Sequence, residues 1–180
     1  MTRFLFYTAT SLDGFIADAH DSLDWLLGQP IDEDGALNYA DFITDIGSIA
    51  MGATTYQWIL DNPAATGATW PYTQPTWVFT HRDLTPVSAD VHLVAGEVGS
   101  HRQSLVDAAD GKDVWIVGGG DLAAQFAAAG MLDEVIVSIA PVMLGSGRPL
   151  FTGAHDLELR EFARNEAFLC ARYDVVAPRK

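Results

Sequence analysis

The chain has 180 residues, 49% of them hydrophobic and 19% charged, a globular composition long enough for one domain with a substantial core. Against 24 acidic residues stand only 10 basic ones, and the resulting charge of −14 makes a surface that repels nucleic acid and anionic membranes. The longest apolar run, residues 135–144, is too short and too interrupted to span a bilayer, and the single cysteine, Cys170, rules out an intramolecular disulfide or a cysteine metal cluster.

The opening Met1-Thr2-Arg3-Phe4 runs directly into strand-like sequence without a small-residue cleavage site. With one thiol, the expectation is a reducing, cytoplasmic setting. Residues 4–9 are apolar apart from Thr8, the pattern of a strand covered on both faces. Residues 10–30 read as loop, with Asp13-Gly14 as a turn signal. An amphipathic helix is expected over 34–46, with Ala36, Leu37, Tyr39, Ala40, Ile43 and Ile46 on one side and Asn38, Asp41 and Asp45 on the other. A short strand at 48–51 leads into a helix at 53–60, which stops before Asn62-Pro63.

Strands follow at 76–80 and 91–95, then a helix at 98–109 closed by Gly111. Next come a strand at 113–117, a helix at 122–129 closed by Gly130, and a strand at 134–140. The tail changes character, with two adjacent strand-like runs at 158–166 and 168–176. Alternating strands and helices followed by a hairpin predict a mainly parallel sheet with an antiparallel edge.

Three strand ends carry the chemical signals. Val117 runs into Gly118-Gly119-Gly120, then Asp121 and Leu122 open a helix. Glycines admit close backbone approach, and a helix N-terminus presents unpaired N–H groups to a phosphate; the alternative is a tight turn with Asp121 as cap. Although Gly118, Gly120 and Ala123 match the dinucleotide fingerprint G-x-G-x-x-A, the motif lies late in the chain and no acidic residue ends the next strand. An ordinary Rossmann domain is therefore disfavoured. At the second junction Gly52 precedes Thr54 and Thr55, suited to phosphate or simply to capping a helix. The third ends in Thr80, His81 and Arg82, the last being the one Lys or Arg between Arg3 and Arg102; a solvated surface arginine is its alternative. Ligands of parallel sheets bind beyond the carboxyl ends of the strands, where all three junctions fall.

These segments, together with Ser11-Leu12-Asp13-Gly14-Phe15-Ile16-Ala17, carry a resemblance. In the order of S-L-D-G-F-I-A, M-G-x-T-T-Y and I-V-G-G-G, residues 4–176 resemble the dihydrofolate-reductase-like superfamily, and within it the group of the riboflavin-biosynthesis reductase domain. The resemblance implies a three-layer α/β fold in one domain over 1–180, with flanking helices and NADPH lying across the sheet. It implies that Ala9, Ile16 and Ala17 border the nicotinamide ribose. Gly52, Thr54 and Thr55 would hold the pyrophosphate from one side, and Val117, Gly118, Gly119, Gly120, Asp121 and Leu122 from the other. Thr80, His81 and Arg82 would meet the 2′-phosphate. It also implies a cis peptide at Gly118-Gly119, a homodimer with residues 145–149 and the last two strands near its interface, and Asp13 at the substrate edge of the nicotinamide site. Asp13 is thus the candidate catalytic and substrate-orienting residue, with a turn role as its alternative, and Trp25 is a candidate pocket wall, with core packing as its alternative.

The expected activity is hydride transfer to a C=N or C=O bond of a small planar, pterin- or pyrimidine-like molecule. Two departures from the family narrow it. No carboxylate takes a convincing place on the pocket side of the first helix, which disfavours folate reduction. The early helical region lacks the basic residues suited to a phosphoribosyl substrate, as in 5-amino-6-(5-phosphoribosylamino)uracil reduction. A non-catalytic pterin- or nucleotide-binding protein is the alternative from another class. His20, His92, His101 and His155 lack metal-ligand spacing, so no metal is expected.

Overall fold

The computed structural model describes residues 1–67 and 69–179. In chain order, β1 (Phe4–Ser11) and β2 (Phe15–Ala17) precede the short helices α1 (Asp24–Leu27) and α2 (Tyr39–Thr44). Then come β3 (Ile46–Gly52), α3 (Ala53–Asp61), α4 (Pro63–Thr66), β4 (Thr76–Phe79) and β5 (Val91–Val94). A 3-10 turn at Val98–His101 leads into α5 (Arg102–Ala109), followed by β6 (Asp113–Val117), α6 (Gly120–Ala128), β7 (Glu134–Ala140), β8 (Arg148–Pro149), β9 (His155–Asn165) and β10 (Phe168–Pro178).

Eight strands form one sheet in the order β5-β4-β3-β6-β1-β7-β10-β9. Pairing is parallel from β5 to β7, and β10 is antiparallel to both β7 and β9. The mainly parallel sheet with an antiparallel C-terminal pair is therefore as expected. A separate two-stranded ribbon joins β2 to β8, setting Ala17 opposite Arg148.

Alternation along the strands builds the three layers. Phe4, Phe6, Val114 and Ile116 face one side, where Leu105, Ala109, Leu122 and Phe126 of α5 and α6 cover them. Leu5, Ile49, Met51 and Trp115 face the other, beneath Tyr56 and Ile59 of α3 and Phe42 and Ile43 of α2. Each large side chain so buried stabilises the fold by about 1.5–3 kcal/mol.

The helix expected over 34–46 is much shorter. Leu37 takes a left-handed φ of 53°, which no helix continues through, and α2 starts only after Asn38, whose side chain accepts the Asp41 N–H at 2.8 Å. The cause is distant in sequence. Buried Asn165 of β9 accepts the Asp32 N–H and donates to the carbonyls of Asp32 and Ala36, satisfying the backbone of 32–36 outside a helix. Asp41 and Asp45 are exposed, as their polar side of the pattern suggests.

Candidate functional site

Strands β4, β3 and β6 are neighbours in the sheet and run parallel, so their carboxyl ends open on one edge. There they line a groove of about 390 Å³. From β3 come Gly52, Thr54 and Thr55, from β4 Thr80, His81 and Arg82, and from β6 Gly119, Asp121 and Leu122. The Thr80 hydroxyl accepts the Arg82 N–H at 2.8 Å, and the Arg82 guanidinium donates to Thr54 Oγ1 at 3.4 Å. The one Lys or Arg side chain between Arg3 and Arg102 thereby reaches from the end of β4 to Thr54 at the start of α3.

No side chain caps the N-terminus of α3 or of α6. Their first-turn N–H groups are left for an anion, and both dipoles favour one. Asp121 does not block this end: its carboxylate accepts from Gln125 Nε2 and from Thr152 Oγ1, both at 3.1 Å. The three glycines divide by cause. Gly118 has a φ of +86° and its Cα packs on Thr55, so a turn and a close approach both require it. A Cβ on Gly120 would meet the backbone oxygen of Leu150 at 2.2 Å. Gly119 lines the groove and a Cβ on it would meet nothing within 4 Å, so neither a contact nor a positive φ requires this glycine.

The expected cis peptide at Gly118-Gly119 is not there, since no cis bond occurs among the described residues. The positive φ of Gly118 makes the turn with a trans chain, and Gly119 follows at φ −57°, ψ 127°.

Past Thr54, Thr55 and Gly119 the groove continues into a pocket of about 410 Å³. Thr8 and Ala9 of β1 and Ile16 and Ala17 of β2 form one side, and Leu23, Leu26 and Trp58 another. Thr54, Thr55, Gly119 and Asp121 border both spaces, while Gly118 and Gly120 line the second alone. At the rim the Arg148 guanidinium grips Asp21 with two bonds, Nε to Oδ1 at 2.6 Å and Nη2 to Oδ2 at 2.9 Å, which holds the Asp21 carboxyl below its ordinary value.

The structure gathers Ala9, Ile16, Ala17, Gly52, Thr54, Thr55, Thr80, His81, Arg82, Gly118, Gly119, Gly120, Asp121 and Leu122 around this continuous space. Three residues do not join them. Val117 is buried in the core beneath α3. Trp25 packs against the cluster of Ala140, Phe168 and Cys170 and does not line the pocket, whereas Leu26 packs on that cluster and also lines the pocket with Leu23. Asp13 lines neither space: its carboxylate accepts from the Ser11 hydroxyl at 2.6 Å and from the amides of Leu144 and Gly145. Those bonds, the Ser11 hydroxyl first, hold its carboxyl down to about 2, so it carries no proton at neutral pH. These bonds tie the turn at Asp13-Gly14 to residues 144 and 145.

Asp21, Trp58 and Arg148 escape sequence reasoning. The clearest available signal was Arg148 itself, a rare cation in an acidic chain flanked by Gly147 and Pro149. A further polar cavity of about 420 Å³ opens near Arg3, Asp45 and Asp113, which precede or begin β1, β3 and β6, and it holds none of the junction residues.

The comparisons agree with this architecture. Residues 4–168 match the RibD C-terminal domain. YwjB, an uncharacterised protein of Bacillus subtilis (strain 168), is 33% identical over 148 residues, covering 81% of this chain and 80% of its own. A candidate riboflavin biosynthesis protein of Shewanella sp. PV-4 superposes with a TM-score of 0.82 at 23% identity, over 97% of this chain and 99% of its own. The diaminohydroxyphosphoribosylaminopyrimidine deaminase/5-amino-6-(5-phosphoribosylamino)uracil reductase of Thermotoga maritima gives 0.66 at 14% identity, and this chain spans 97% of itself but 57% of that protein. On the extent of the family match and the identity to YwjB, this chain belongs to the RibD C-terminal domain family.

Proposed function

We propose that this protein is an NADPH-dependent reductase that delivers a hydride to a C=N or C=O carbon of a small planar molecule. One observation carries the reading: three strand ends and two uncapped helix N-termini converge on a single groove that runs into an apolar pocket. The groove fits a dinucleotide phosphate. Gly119 lines it with open space where a Cβ would stand, its first-turn amides have no side-chain caps, and Arg82 stands at its far end.

Bound NADPH supplies the hydride, and the chain supplies position and electrostatics. In this reading the first-turn amides of α3 and α6 hold the pyrophosphate and Arg82 with Thr80 holds the 2′-phosphate. Ala9, Ile16 and Ala17 keep the reactive end against the pocket, and Leu23, Leu26 and Trp58 exclude water from it. The two pocket carboxylates are engaged, Asp21 with Arg148 and Asp121 with Gln125 and Thr152, so neither is a free proton donor for the reduction. That engagement also favours a second reading, a pterin- or nucleotide-binding protein without turnover.

We further propose that the protein works in the cytoplasm as a homodimer. Leu157, Leu159 and Phe162 of β9 and Leu169 of β10 are exposed and share one face of the terminal hairpin, an apolar stripe suited to a second copy. NADPH oxidation at 340 nm against pterins, ribosylaminopyrimidines and quinones tests the activity. Turnover with one class supports the reductase, and cofactor binding without turnover across the panel supports the second reading.

A further inference from the structure

The pocket beside the groove has a charge pattern that no resemblance explains. Its one guanidinium, Arg148, lies on β8 and is held by Asp21 through two short bonds in fork geometry. Asp21 is fixed in turn. It sits at a left-handed φ of 61°, and its carbonyl accepts the indole N–H of Trp58 at 3.1 Å. The Asp18 carboxylate closes the loop by accepting the N–H groups of His20 and Ser22. The 18–22 loop is thus pinned to α3 on one side and to β8 on the other, and the pinning consumes the charge of Arg148.

What remains is a wall without a free cation. The third charged residue lining the pocket is Asp121, so the described lining carries two carboxylates against one guanidinium. Ile16, Leu23, Leu26, Trp58 and Pro149 supply the larger apolar side chains, and the uncharged rest are glycines, alanines and threonines. A phosphate dianion entering here would meet a guanidinium whose charge Asp21 already offsets and would face both carboxylates, while an uncharged ring would lose only water.

We propose that this pocket takes an uncharged, unsaturated carbonyl compound of aromatic or quinone type, and that Asp21 excludes phosphorylated substrates by neutralising Arg148. This rests on the reductase reading for the identity of the groove's occupant. Asp21 is a specificity-determining residue here: it touches the cation that an anionic substrate would need.

Calorimetric titrations into protein saturated with NADP⁺, where no turnover occurs, test it with two probes, 1,4-naphthoquinone and ribose 5-phosphate. The wild type is expected to bind naphthoquinone and to bind ribose 5-phosphate at least about tenfold more weakly. Asp21→Asn frees the guanidinium and is expected to gain about tenfold or more for ribose 5-phosphate, a gain that the double variant Asp21→Asn/Arg148→Met loses. Ribose 5-phosphate binding as tightly as naphthoquinone to the wild type overturns the proposal, whether or not Asp21→Asn folds. A folded Asp21→Asn without any gain overturns it as well. Failure of NADP⁺ itself to bind, measured first, counts against the reductase reading instead.

Discussion

Alanine placed at each of the three consecutive glycines separates ligand space from packing. In Gly120→Ala the new Cβ lies 2.2 Å from the Leu150 oxygen and 2.5 Å from its carbonyl carbon, atoms that move only with the backbone. Overpacking of this kind costs about 1–3 kcal/mol. For a chain of this size that corresponds to a fall in Tm of roughly 2–12 °C. Gly118→Ala puts an L-residue at φ +86° and its Cβ on Thr55, with about 1–2 kcal/mol from the conformation alone. Gly119→Ala differs in kind. Its φ of −57° suits alanine, nothing lies within 4 Å, and the loss of a glycine N-cap is offset by a less flexible unfolded chain. Stability should therefore hold within about 1 kcal/mol. The methyl group fills space that the pyrophosphate needs, and loss of one charged hydrogen bond weakens NADPH by about tenfold or more. Thermal unfolding followed by circular dichroism, with calorimetric NADPH titration of each variant, checks the series. Gly119→Ala that melts as early as Gly120→Ala, or that binds NADPH at wild-type affinity, refutes the reasoning.

Arg82→Ala should weaken NADPH by about tenfold or more and leave NADH nearly unchanged, because a charge-assisted contact to the 2′-phosphate is worth about 1.5–3 kcal/mol and the side chain is exposed; parallel titrations of the two cofactors show whether the loss is selective. Asp13, held near 2 against an ordinary 3.8, binds its proton less readily folded than unfolded. Its contribution to stability is thus complete above about pH 4 and lost as the pH falls toward 2, so urea melts of Asp13→Asn should show a flatter acid limb than those of the wild type. The paired change Phe162→Glu/Leu169→Glu should convert a dimer to a monomer in light scattering at micromolar concentration, and a wild type that is already monomeric there removes the interface.

The frame of the fold is legible because its signals are local. The apolar strands β1, β6 and β7, the glycines at the ends of β3 and β6, and the run of strand residues after 155 each declare themselves within a few positions. The parallel order then brings the three junctions together without further information. What stays hidden depends on partners far away in the chain. The amphipathic pattern of 34–46 is sound, yet Asn165 holds its first part in another conformation from about 130 positions away. Asp21 and Arg148 are 127 positions apart, so neither carries a sign of the fork that joins them. Asp13 has the composition of a turn, and the amides of Leu144 and Gly145 that hold its carboxylate lie 131 and 132 positions away. Trp25 and Leu26 are adjacent, and the turn of α1 alone determines which of them faces the pocket.

The central claim is that a dinucleotide lies along the carboxyl ends of β3, β4 and β6. Titration of NADPH into ¹⁵N-labelled protein, followed by two-dimensional amide spectra, tests it most directly. The account predicts the largest shifts at the amides of Thr54, Thr80, Arg82, Gly119 and Asp121, with smaller ones at Ala9 and Ala17. Shifts concentrated instead at Asp34, Asn38 and Arg172, around the polar cavity away from these junctions, or no shifts at all with NADPH in excess, would contradict it.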